Sequence, residues 1–414
     1  MIETGDEVEV RKGDRVYRGI VMPHHIFSDK NMLVIKLPSG YNMALDRRKC
    51  EVKILKKGGT RKKQVKPIEF DENKPIVALL GTGGTIASYV DYKSGAVHPA
   101  ATAEELIFAV PEIFQLCNVE ADVLSQKLSE NITPADWQRM ARRAKKYLND
   151  GKPVIIAHGT DTMAYSAAAL SFMFRELPAS IIFVGSQRSS DRPSSDAFVN
   201  LMAAVRVALA DMAEVAMVMH ESISSSRVAI HRGTKVRKMH SSRRDAFVSI
   251  NAPPIGYVEG GRVVLEGEHK RRSGGKAVLK AGLEKEVALI YYYPGMGRKE
   301  FEAMVNGKKG VVIAGTGLGH VGEHLIPEIR KLTRSGIPVV MTTQCLWGSV
   351  NLNVYSTGRK LLRAGVISGY DMLPEVAWIK LMWVMANESN VEEAMKTNIA
   401  GEISERREIG DFVK

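Results

Sequence analysis

Two short segments of this sequence combine threonine with glycine directly after a run of apolar residues. The first is GTGGTIAS (81–88), after IVALL, and the second is HGTDTM (158–163), after VIIA. Neither fits a nucleotide site. A P-loop needs a lysine after its last glycine and a dinucleotide fingerprint needs glycine at its sixth position, whereas Thr85 and Ile86 stand there. The chemistry that remains is that of a hydroxyl group, which in the second segment has a carboxylate beside it.

These hydroxyl residues fall where an open α/β sheet binds its ligands, at the carboxyl ends of strands. The glycines let the backbone approach a ligand closely and leave N–H groups free to point at an anion. Taken alone, GTDT predicts only the N-cap of the following helix. Because two strand ends each present a threonine, the pair instead predicts a site.

The elements that must hold these residues alternate between strands and helices. Over 76–264, apolar runs such as SIIFVG and VAMVM alternate with amphipathic helices, one of which begins at Thr133. This alternation predicts a larger catalytic α/β domain with a parallel sheet covered on both faces. A glycine-rich, basic stretch at 265–284 predicts a linker, after which the pattern restarts as a smaller α/β domain over 285–414.

Residues 1–56 have a different character. Valines and isoleucines at every second position, separated by turn residues, predict about five short strands and hence a small β-barrel. No catalytic constellation lies within it, so we expect a binding or docking module. The polar, basic residues 57–75 predict a linker.

The composition excludes several classes of protein. The 414 residues carry a net charge of +12, contain three widely spaced cysteines and include no apolar run of about 18 residues that would span a membrane. The N-terminus MIETGDEVEV is too polar and acidic for a signal peptide, so we expect a cytoplasmic protein without a disulfide framework or a C-x-x-C metal site. The basic clusters RRAKK and HKRR fit attraction to RNA and fit an ordinary charged surface equally well.

The two threonine segments together resemble the signatures of the L-asparaginase/glutaminase amidohydrolases, and both match without a gap. The resemblance extends over residues 75–400 and includes TTQCLWGSV and GVISGYDMLPEVAWIKLMW. It implies hydrolysis of a side-chain amide by a threonine nucleophile, through an acyl-enzyme and without a metal. Thr85 matches the nucleophile. Tyr92 matches the tyrosine that activates it, with Tyr89 as a rival.

The resemblance also implies a second group of catalytic side chains. Thr160 and Asp161 match the family's second threonine and its aspartate. Alignment of RDAF with the family pattern makes Lys238 the lysine that completes the group, with Lys235 as the competitor. Such a lysine would act on Thr160 or on a bound water.

Substrate-binding residues follow from the same resemblance. Ser129, in KLSENITPADW, matches the residue that binds the amino-acid carboxylate, and Glu130 can pair with the substrate ammonium. The N–H groups beside Gly84 and Thr160 are the candidate oxyanion donors, which adds Gly84 and Gly159 to the predicted binding residues. Glu130 stands where the family often has glutamine, so the preference between asparagine and glutamine stays open.

A β-barrel before an asparaginase-like core resembles the D subunits of archaeal glutamyl-tRNA(Gln) amidotransferases, and GDEVEVRKGDRVYRGIVMP is similar to their opening. This implies a subunit that releases ammonia, which a GatE-type kinase/transamidase partner uses on Glu-tRNA(Gln), in a heterotetramer built on a homodimer core. ATP and magnesium would belong to the partner, and this chain would need no cofactor. Two alternatives stay open: a free-standing L-asparaginase, and a non-catalytic RNA-binding scaffold on the same fold.

Overall fold

The computed structural model describes residues 2–22, 31–37, 42–58, 70–83, 89–91, 96–98, 111–188, 195–224 and 227–404. Within them the chain forms an N-terminal antiparallel sheet, a larger α/β unit and a smaller α/β unit. This architecture confirms the predicted fold class. No helix in the described part of the chain is long and apolar enough to span a membrane.

The N-terminal unit is a five-stranded antiparallel sheet with the order β4-β3-β2-β1-β5. Its strands are β1 (Glu7–Lys12), β2 (Arg15–Val21), β3 (Met32–Lys36), β4 (Asn42–Asp46) and β5 (Glu51–Lys56). Every second residue of a strand points to the same face, so Val8 and Val10 both face inward, where they meet Val21, Leu33 and Ile35. Where the sequence predicts a small β-barrel, the described strands form an antiparallel sheet that buries a small core of its own.

The larger unit contains an eight-stranded sheet with the order β18-β17-β14-β13-β12-β10-β6-β9. Its strands are β6 (Ile76–Gly81), β9 (Asn118–Val123), β10 (Val154–Ala157), β12 (Ile181–Val184), β13 (Val215–His220), β14 (Arg227–Arg232), β17 (Gly256–Glu259) and β18 (Arg262–Leu265). The five strands from β9 to β13 in this order are parallel, as predicted, and β14, β17 and β18 extend the sheet in antiparallel fashion.

Helices cover both faces of the parallel part of this sheet. Helices α1 (Pro134–Asn149) and α2 (Met163–Met173) pack on the face that holds Ala78 and Ile156. Helix α3 (Ala197–Leu209) packs on the opposite face, which holds Val77 and Ile155. Because both faces are buried, the strands need apolar residues at every position, which explains the continuous apolar runs in the sequence.

The larger unit also contains shorter strands outside the eight-stranded sheet. They are β7 (Tyr89–Asp91), β8 (Ala96–His98), β11 (Phe174–Glu176), β15 (Val236–Lys238), β16 (Phe247–Ser249) and β19 (Val278–Leu279). They form three antiparallel pairs: β7 with β8, β15 with β16, and β11 with β19. The pair β15–β16 is a hairpin that projects from the end of β14 and carries Lys238.

The smaller unit is a four-stranded parallel sheet with the order β20-β21-β22-β23. Its elements are β20 (Val287–Tyr291), α4 (Arg298–Val305), β21 (Gly310–Gly315), α5 (Ile326–Arg334), β22 (Val339–Thr343), α6 (Ser356–Arg363), β23 (Ile367–Ser368), α7 (Pro374–Asn387) and α8 (Val391–Lys396). Helix α7 is apolar nearly all round and belongs to the same buried core as α2 of the larger unit. The two α/β units therefore share one hydrophobic core.

The stretch 265–284, which the sequence predicts to be a linker, is bound to the larger unit along its length. Strand β19 within it pairs with β11. The amide of Ala277 donates to Asn149 Oδ1 at 2.9 Å, and the carbonyl of Ala281 accepts from Gln138 Nε2 at 2.8 Å. These two contacts lie at opposite parts of α1, so the stretch runs alongside that helix.

Candidate active site

The two threonine segments begin side by side at one edge of the larger sheet. In the parallel register of β6 and β10, Gly81 lies opposite Ala157. The amide and the hydroxyl of Thr82 both donate to the carbonyl of Ala157, each at 3.0 Å. Gly83 has a φ of 108°, and a Cβ there would lie 2.1 Å from the carbonyl oxygen of Lys127, so only glycine fits.

The predicted nucleophile and its tyrosine are not placed by the structure. Gly84, Thr85 and Tyr92 lie outside the described residues, and of Tyr89 only the backbone, at the start of β7, is described. The roles of Thr85 and Tyr92, and the choice between Tyr92 and Tyr89, therefore stay predictions. The site below is built from the second segment and its neighbours.

Lys238 joins two residues of the second segment. Its Nζ donates to Thr160 Oγ1 at 2.9 Å and to Asp161 Oδ1 at 2.7 Å. Thr160 is buried and only 12% of the Lys238 side chain is exposed, whereas 67% of the Asp161 side chain is exposed. The ammonium group thus meets a buried hydroxyl and a solvent-facing carboxylate, an arrangement that can pass a proton between the three groups.

The competing lysine has different partners. Lys235 Nζ donates to Asp371 Oδ2 at 2.6 Å, and 4% and 7% of these two side chains are exposed. Burial lowers the pKa of Lys235, which the nearby carboxylate of Asp371 opposes. The geometry brings Lys238, and not Lys235, to Thr160.

A chain of hydrogen bonds, in which each group donates to the next, fixes the orientation of the peptide between Gly159 and Thr160. The indole N–H of Trp137 donates to Ser166 Oγ at 2.9 Å, and the Ser166 hydroxyl lies 2.8 Å from His158 Nε2. His158 Nδ1 lies 2.7 Å from the carbonyl oxygen of Gly159, to which it donates in this arrangement. Since a trans peptide points its N–H opposite its C=O, the Thr160 amide, a candidate oxyanion donor, points away from this chain. Burial lowers the pKa of His158 to about 4, so the ring is neutral at pH 7.

Ser129 contacts Gly159, the first residue of the same peptide. It belongs to a short 3-10 helix, Ser129–Asn131, and its carbonyl accepts from Thr162 Oγ1 at 2.7 Å. A Cβ on Gly159 would lie 2.7 Å from Ser129 Cβ, so the two residues are in direct contact. Ser129 is buried and Glu130 is exposed. The structure therefore brings Ser129 together with the second threonine segment, and Glu130 follows it at the surface, where its role stays a prediction.

A salt bridge holds this serine turn at the start of α1. The amide and the hydroxyl of Thr133 both donate to Asp136 Oδ2, at 2.8 and 2.7 Å. Lys127 Nζ donates to the same oxygen at 2.7 Å. Burial would raise the pKa of Asp136, but these hydrogen bonds outweigh it and bring the pKa to about 2.

Some supporting residues cannot be found from the sequence. Nothing in the pattern of α2 sets Ser166 apart from its other small residues. Gly185 directly follows β12, and a Cβ on Gly185 would lie 2.9 Å from Thr160 Cγ2. A glycine directly after a buried strand is the one signal that could have indicated this close approach. Among the described residues, no group of three or more His, Cys, Asp or Glu side chains is arranged to hold a metal ion.

The sequence matches three protein families in succession. Residues 2–55 match the GatD N-terminal domain, residues 76–271 match the asparaginase N-terminal domain, and residues 286–397 match the glutaminase/asparaginase C-terminal domain. Each match coincides with one of the structural units. The shared core described above thus joins the two asparaginase domains.

Full-length relatives and solved structures agree with these matches. The D subunit of the glutamyl-tRNA(Gln) amidotransferase from Pyrococcus furiosus is 49% identical, and the match covers 97% of this chain and 95% of the relative. Its counterpart from Methanothermobacter thermautotrophicus is 45% identical, covering 99% and 96%. Among solved structures, the thermostable L-asparaginase from Thermococcus kodakarensis is 34% identical with a TM-score of 0.72, covering 80% of this chain and 99% of that one. The L-asparaginase I from Vibrio cholerae is 29% identical with a TM-score of 0.69, covering 80% and 99%.

Proposed function

Because the chain belongs to the family of glutamyl-tRNA(Gln) amidotransferase D subunits, with an asparaginase-type core, we propose that it hydrolyses a side-chain amide to supply ammonia. The substrate is glutamine or asparagine. The single observation that carries this proposal is the contact of Lys238 with both Thr160 and Asp161 beside the buried Ser129 turn. That contact supports a working amidase because a lysine, a hydroxyl and a carboxylate of this kind serve proton transfer.

The proposed reaction has two halves. The hydroxyl of Thr85 attacks the amide carbon, so that an O–C bond forms while the C–N bond breaks. The hydroxyl proton passes to the leaving nitrogen, which departs as ammonia. A water molecule then cleaves the ester, releasing glutamate or aspartate and restoring the hydroxyl. Tyr92 is the proposed first acceptor of the hydroxyl proton.

The second threonine group serves the same reaction by moving protons and binding substrate. Thr160 can give or take a proton through Lys238, which lies 2.9 Å away. The carboxylate of Asp161 holds the lysine and faces solvent, where it can also meet the substrate ammonium, as can Glu130. The Thr160 amide, whose direction His158 sets, donates to the oxyanion. Each of these roles is part of the proposal.

The ammonia serves a partner. We infer that a GatE-type kinase/transamidase subunit activates Glu-tRNA(Gln) with ATP and magnesium, and that this chain, without a cofactor of its own, delivers the ammonia to it. A homodimer of this chain with two partner subunits would form a heterotetramer. This work takes place in the cytoplasm, as the composition predicts.

The distribution of basic side chains supports binding of RNA by this chain. Helix α1 carries five basic side chains and one carboxylate, and the adjacent segment 269–280 carries five basic side chains and no carboxylate, within a chain whose net charge is +12. Gln138 and Asn149 of α1 bind this segment, so the two form one surface, called the basic surface below. Arg142 and Lys145 lie between those two anchors along the helix, at the spacing of one helical stripe. Phosphate groups of RNA are the natural partner of such a surface.

A free-standing L-asparaginase is the second candidate. It is favoured by the likeness to solved L-asparaginases, which extends over 80% of this chain. The N-terminal sheet lies outside that function and instead matches the GatD N-terminal domain. A non-catalytic RNA-binding scaffold is the third candidate, and the contact of Lys238 with Thr160 argues against it.

Ammonia release by the purified full-length chain separates these candidates. It is measured with glutamine and with asparagine, first alone and then with the partner subunit, ATP, magnesium and Glu-tRNA(Gln). Activity that rises sharply with partner and tRNA supports the proposed amidotransferase subunit. High activity that ignores both supports a free-standing asparaginase. No activity in either setting, or full activity in Thr85→Ala, contradicts the proposed chemistry.

A further inference from the structure

Four polar residues, two of them buried and two half-buried, form a cluster at the base of the hairpin that carries Lys238. They are Lys235, Asn251, Asp371 and Ser404, and they are called the Asp371 cluster. Lys235 Nζ donates to Asp371 Oδ2 at 2.6 Å and to Ser404 Oγ at 2.9 Å. The Ser404 amide donates to Asp371 Oδ1 at 3.0 Å. One carboxylate therefore joins the larger unit to the C-terminal segment of the chain.

Asn251 completes the cluster with both its backbone and its side chain. Its carbonyl accepts from Ser404 Oγ at 2.9 Å, and its Nδ2 donates to the carbonyl of Asp371 at 3.0 Å. Its Oδ1 accepts from the Gly348 amide at 2.9 Å. These contacts connect four separate parts of the chain, and they satisfy the polar groups that burial would otherwise leave unpaired.

The cluster is also where the backbone is strained. Within the described residues, the non-glycine residues with positive φ are Asn251, at 58°, and Tyr370, at 53°. Tyr370 directly precedes Asp371, and its carbonyl accepts from the Val350 amide at 2.9 Å. A tyrosine in this conformation persists only where its surroundings determine it, and such residues concentrate at functional sites. The coincidence of both residues with one polar cluster indicates that its geometry matters.

The cluster lies at the open end of the hairpin β15–β16. Lys235 and Asn251 flank this end, where the amide of Ile250 donates to the carbonyl of Lys235 at 2.7 Å. Lys238 stands three residues further along, opposite Phe247, or about 10 Å away at the rise of a β-strand. A displacement of the hairpin's base therefore moves Lys238 relative to Thr160, which sits on a different element.

The C-terminal segment is held firmly enough to act as a support. The Thr234 hydroxyl donates to the carbonyl of Ala400 at 3.0 Å. Two residues before Ser404, Glu402 forms a fully buried ion pair with Lys380 at 2.6 Å. Ser404 thus belongs to an anchored segment that reaches the hairpin from α8.

We propose that Ser404, Asp371 and Lys235 are positioning residues for the amidase site: they hold the β15–β16 hairpin so that Lys238 reaches Thr160. This inference rests on the proposed function, since it takes Lys238 as the working lysine. It assigns the C-terminal segment an indirect part in catalysis through one hydroxyl group. The lysine that competes with Lys238 in the sequence thereby acquires a role of its own.

Three variants of the full chain test this role by ammonia release. Ser404→Ala removes the hydroxyl, Ser404→Thr keeps it, and Lys238→Met is the reference. We expect Ser404→Ala to lower kcat about tenfold, since small misplacements of a catalytic group are costly. KM should stay within about twofold, because the proposed substrate-binding residues Ser129 and Glu130 lie outside the hairpin. Ser404→Thr should keep most of the activity, because it retains the hydroxyl.

Each result bears on one statement. An unchanged kcat in Ser404→Ala, with activity lost in Lys238→Met, overturns the positioning role and leaves the proposed function intact. Equal losses in Ser404→Ala and Ser404→Thr also overturn it, since the retained hydroxyl then makes no difference. Full activity in Lys238→Met refutes the lysine assignment of the proposed function itself. Lys235→Arg, which keeps the ion pair, gives a second test if Ser404→Ala folds poorly, and it should retain activity.

Discussion

The Nζ atom of Lys238 lies 2.9 Å from the hydroxyl of Thr160, a residue 78 positions earlier in the chain. The lysine comes from a hairpin and the threonine from the turn between a strand and a helix, so the contact depends on the packing of two elements. Its geometry is that of a proton-transfer pair with a carboxylate, Asp161, beside it. The first prediction tests that interpretation.

Replacement of Lys238 by methionine should reduce kcat for ammonia release by a factor of about 10² to 10⁴, the range typical of a lost proton-transfer group. The thermal midpoint should change little, because Asp161, its ion-pair partner, faces solvent. Lys235→Met should mainly lower stability. It leaves the buried carboxylate of Asp371 without its cation and should cost about 3 to 5 kcal/mol of stability.

Activity assays and thermal unfolding of the two variants, run side by side, check this pair. Because Lys235 also supports the hairpin, a moderate loss of kcat in Lys235→Met is compatible with its role. A larger loss of kcat there than in Lys238→Met would reverse the assignment of the two lysines.

Gly159→Ala should damage the substrate pocket. The new methyl group would lie 2.7 Å from Ser129 Cβ, so either the serine turn or the catalytic peptide must move. We expect KM for glutamine to rise at least tenfold and kcat to fall, since the proposed oxyanion donor sits on the same peptide. Gly274→Ala is the matched control, because nothing lies within 4 Å of a Cβ at that position. If the two variants have the same kcat and KM, this close contact does not affect function.

Two buried histidines should make the protein less stable in acid. Burial lowers the pKa of His158 and of His231 to about 4, below the ordinary value of 6.5 that they regain on unfolding. Between these values the unfolded state binds more protons, so stability falls as the pH drops from about 6.5 to 4, by on the order of 3 kcal/mol for each histidine. Urea unfolding from pH 7.5 to 4.5 measures this slope. His158→Gln should reduce this pH dependence by the contribution of one histidine. An unchanged slope in that variant would contradict the buried, neutral ring.

Neutralising the basic surface should weaken binding of RNA. The test variant replaces Arg142, Lys145 and Lys276 by glutamine, and the matched control replaces Lys299, Arg334 and Arg363, exposed basic residues of the smaller unit. With a fluorescein-labelled tRNA(Gln) transcript, the test variant should bind about tenfold more weakly. The slope of log K against log salt should fall by about 2 to 3, because each lost phosphate contact removes about 0.7 to 0.9 from it.

The control variant has the same net charge, so it should lose no more than about twofold in affinity. Equal losses in both variants would mean that overall charge, rather than this surface, governs binding. Normal RNA binding with weakened association of the partner subunit would assign the surface to a protein instead. Neither variant should lose ammonia release.

The sequence predicts the parts of the fold that depend on local periodicity. The apolar runs of β6 and β10, and the helix that begins at Thr133, lie where the pattern indicates. Parallel strands end at a common edge, so the meeting of the two threonine segments was also predictable. The antiparallel extension by β14, β17 and β18 was not, because strand direction depends on the connections rather than on the composition of each strand.

Contacts between side chains that are distant in the sequence were the harder part of the site to predict. Alignment of RDAF favours Lys238 over Lys235, but only the fold shows that Lys238 ends strand β15 and reaches Thr160, whereas Lys235 lies in the turn before that strand. The chain from Trp137 to Gly159 and the contact of Ser129 with Gly159 depend on helix packing, and no local signal announces them.

The burial of helix α7 should determine whether the two asparaginase domains unfold together. Because it is buried on nearly every side between the two asparaginase domains, neither domain can open without exposing the other's interior. Amide hydrogens in α7 and α2 should therefore exchange with solvent together and at the slowest rates, as a single cooperative block. The two domains, distinct as sequence families, would then behave as one unit towards proteases and heat, and neither is a promising fragment to express alone.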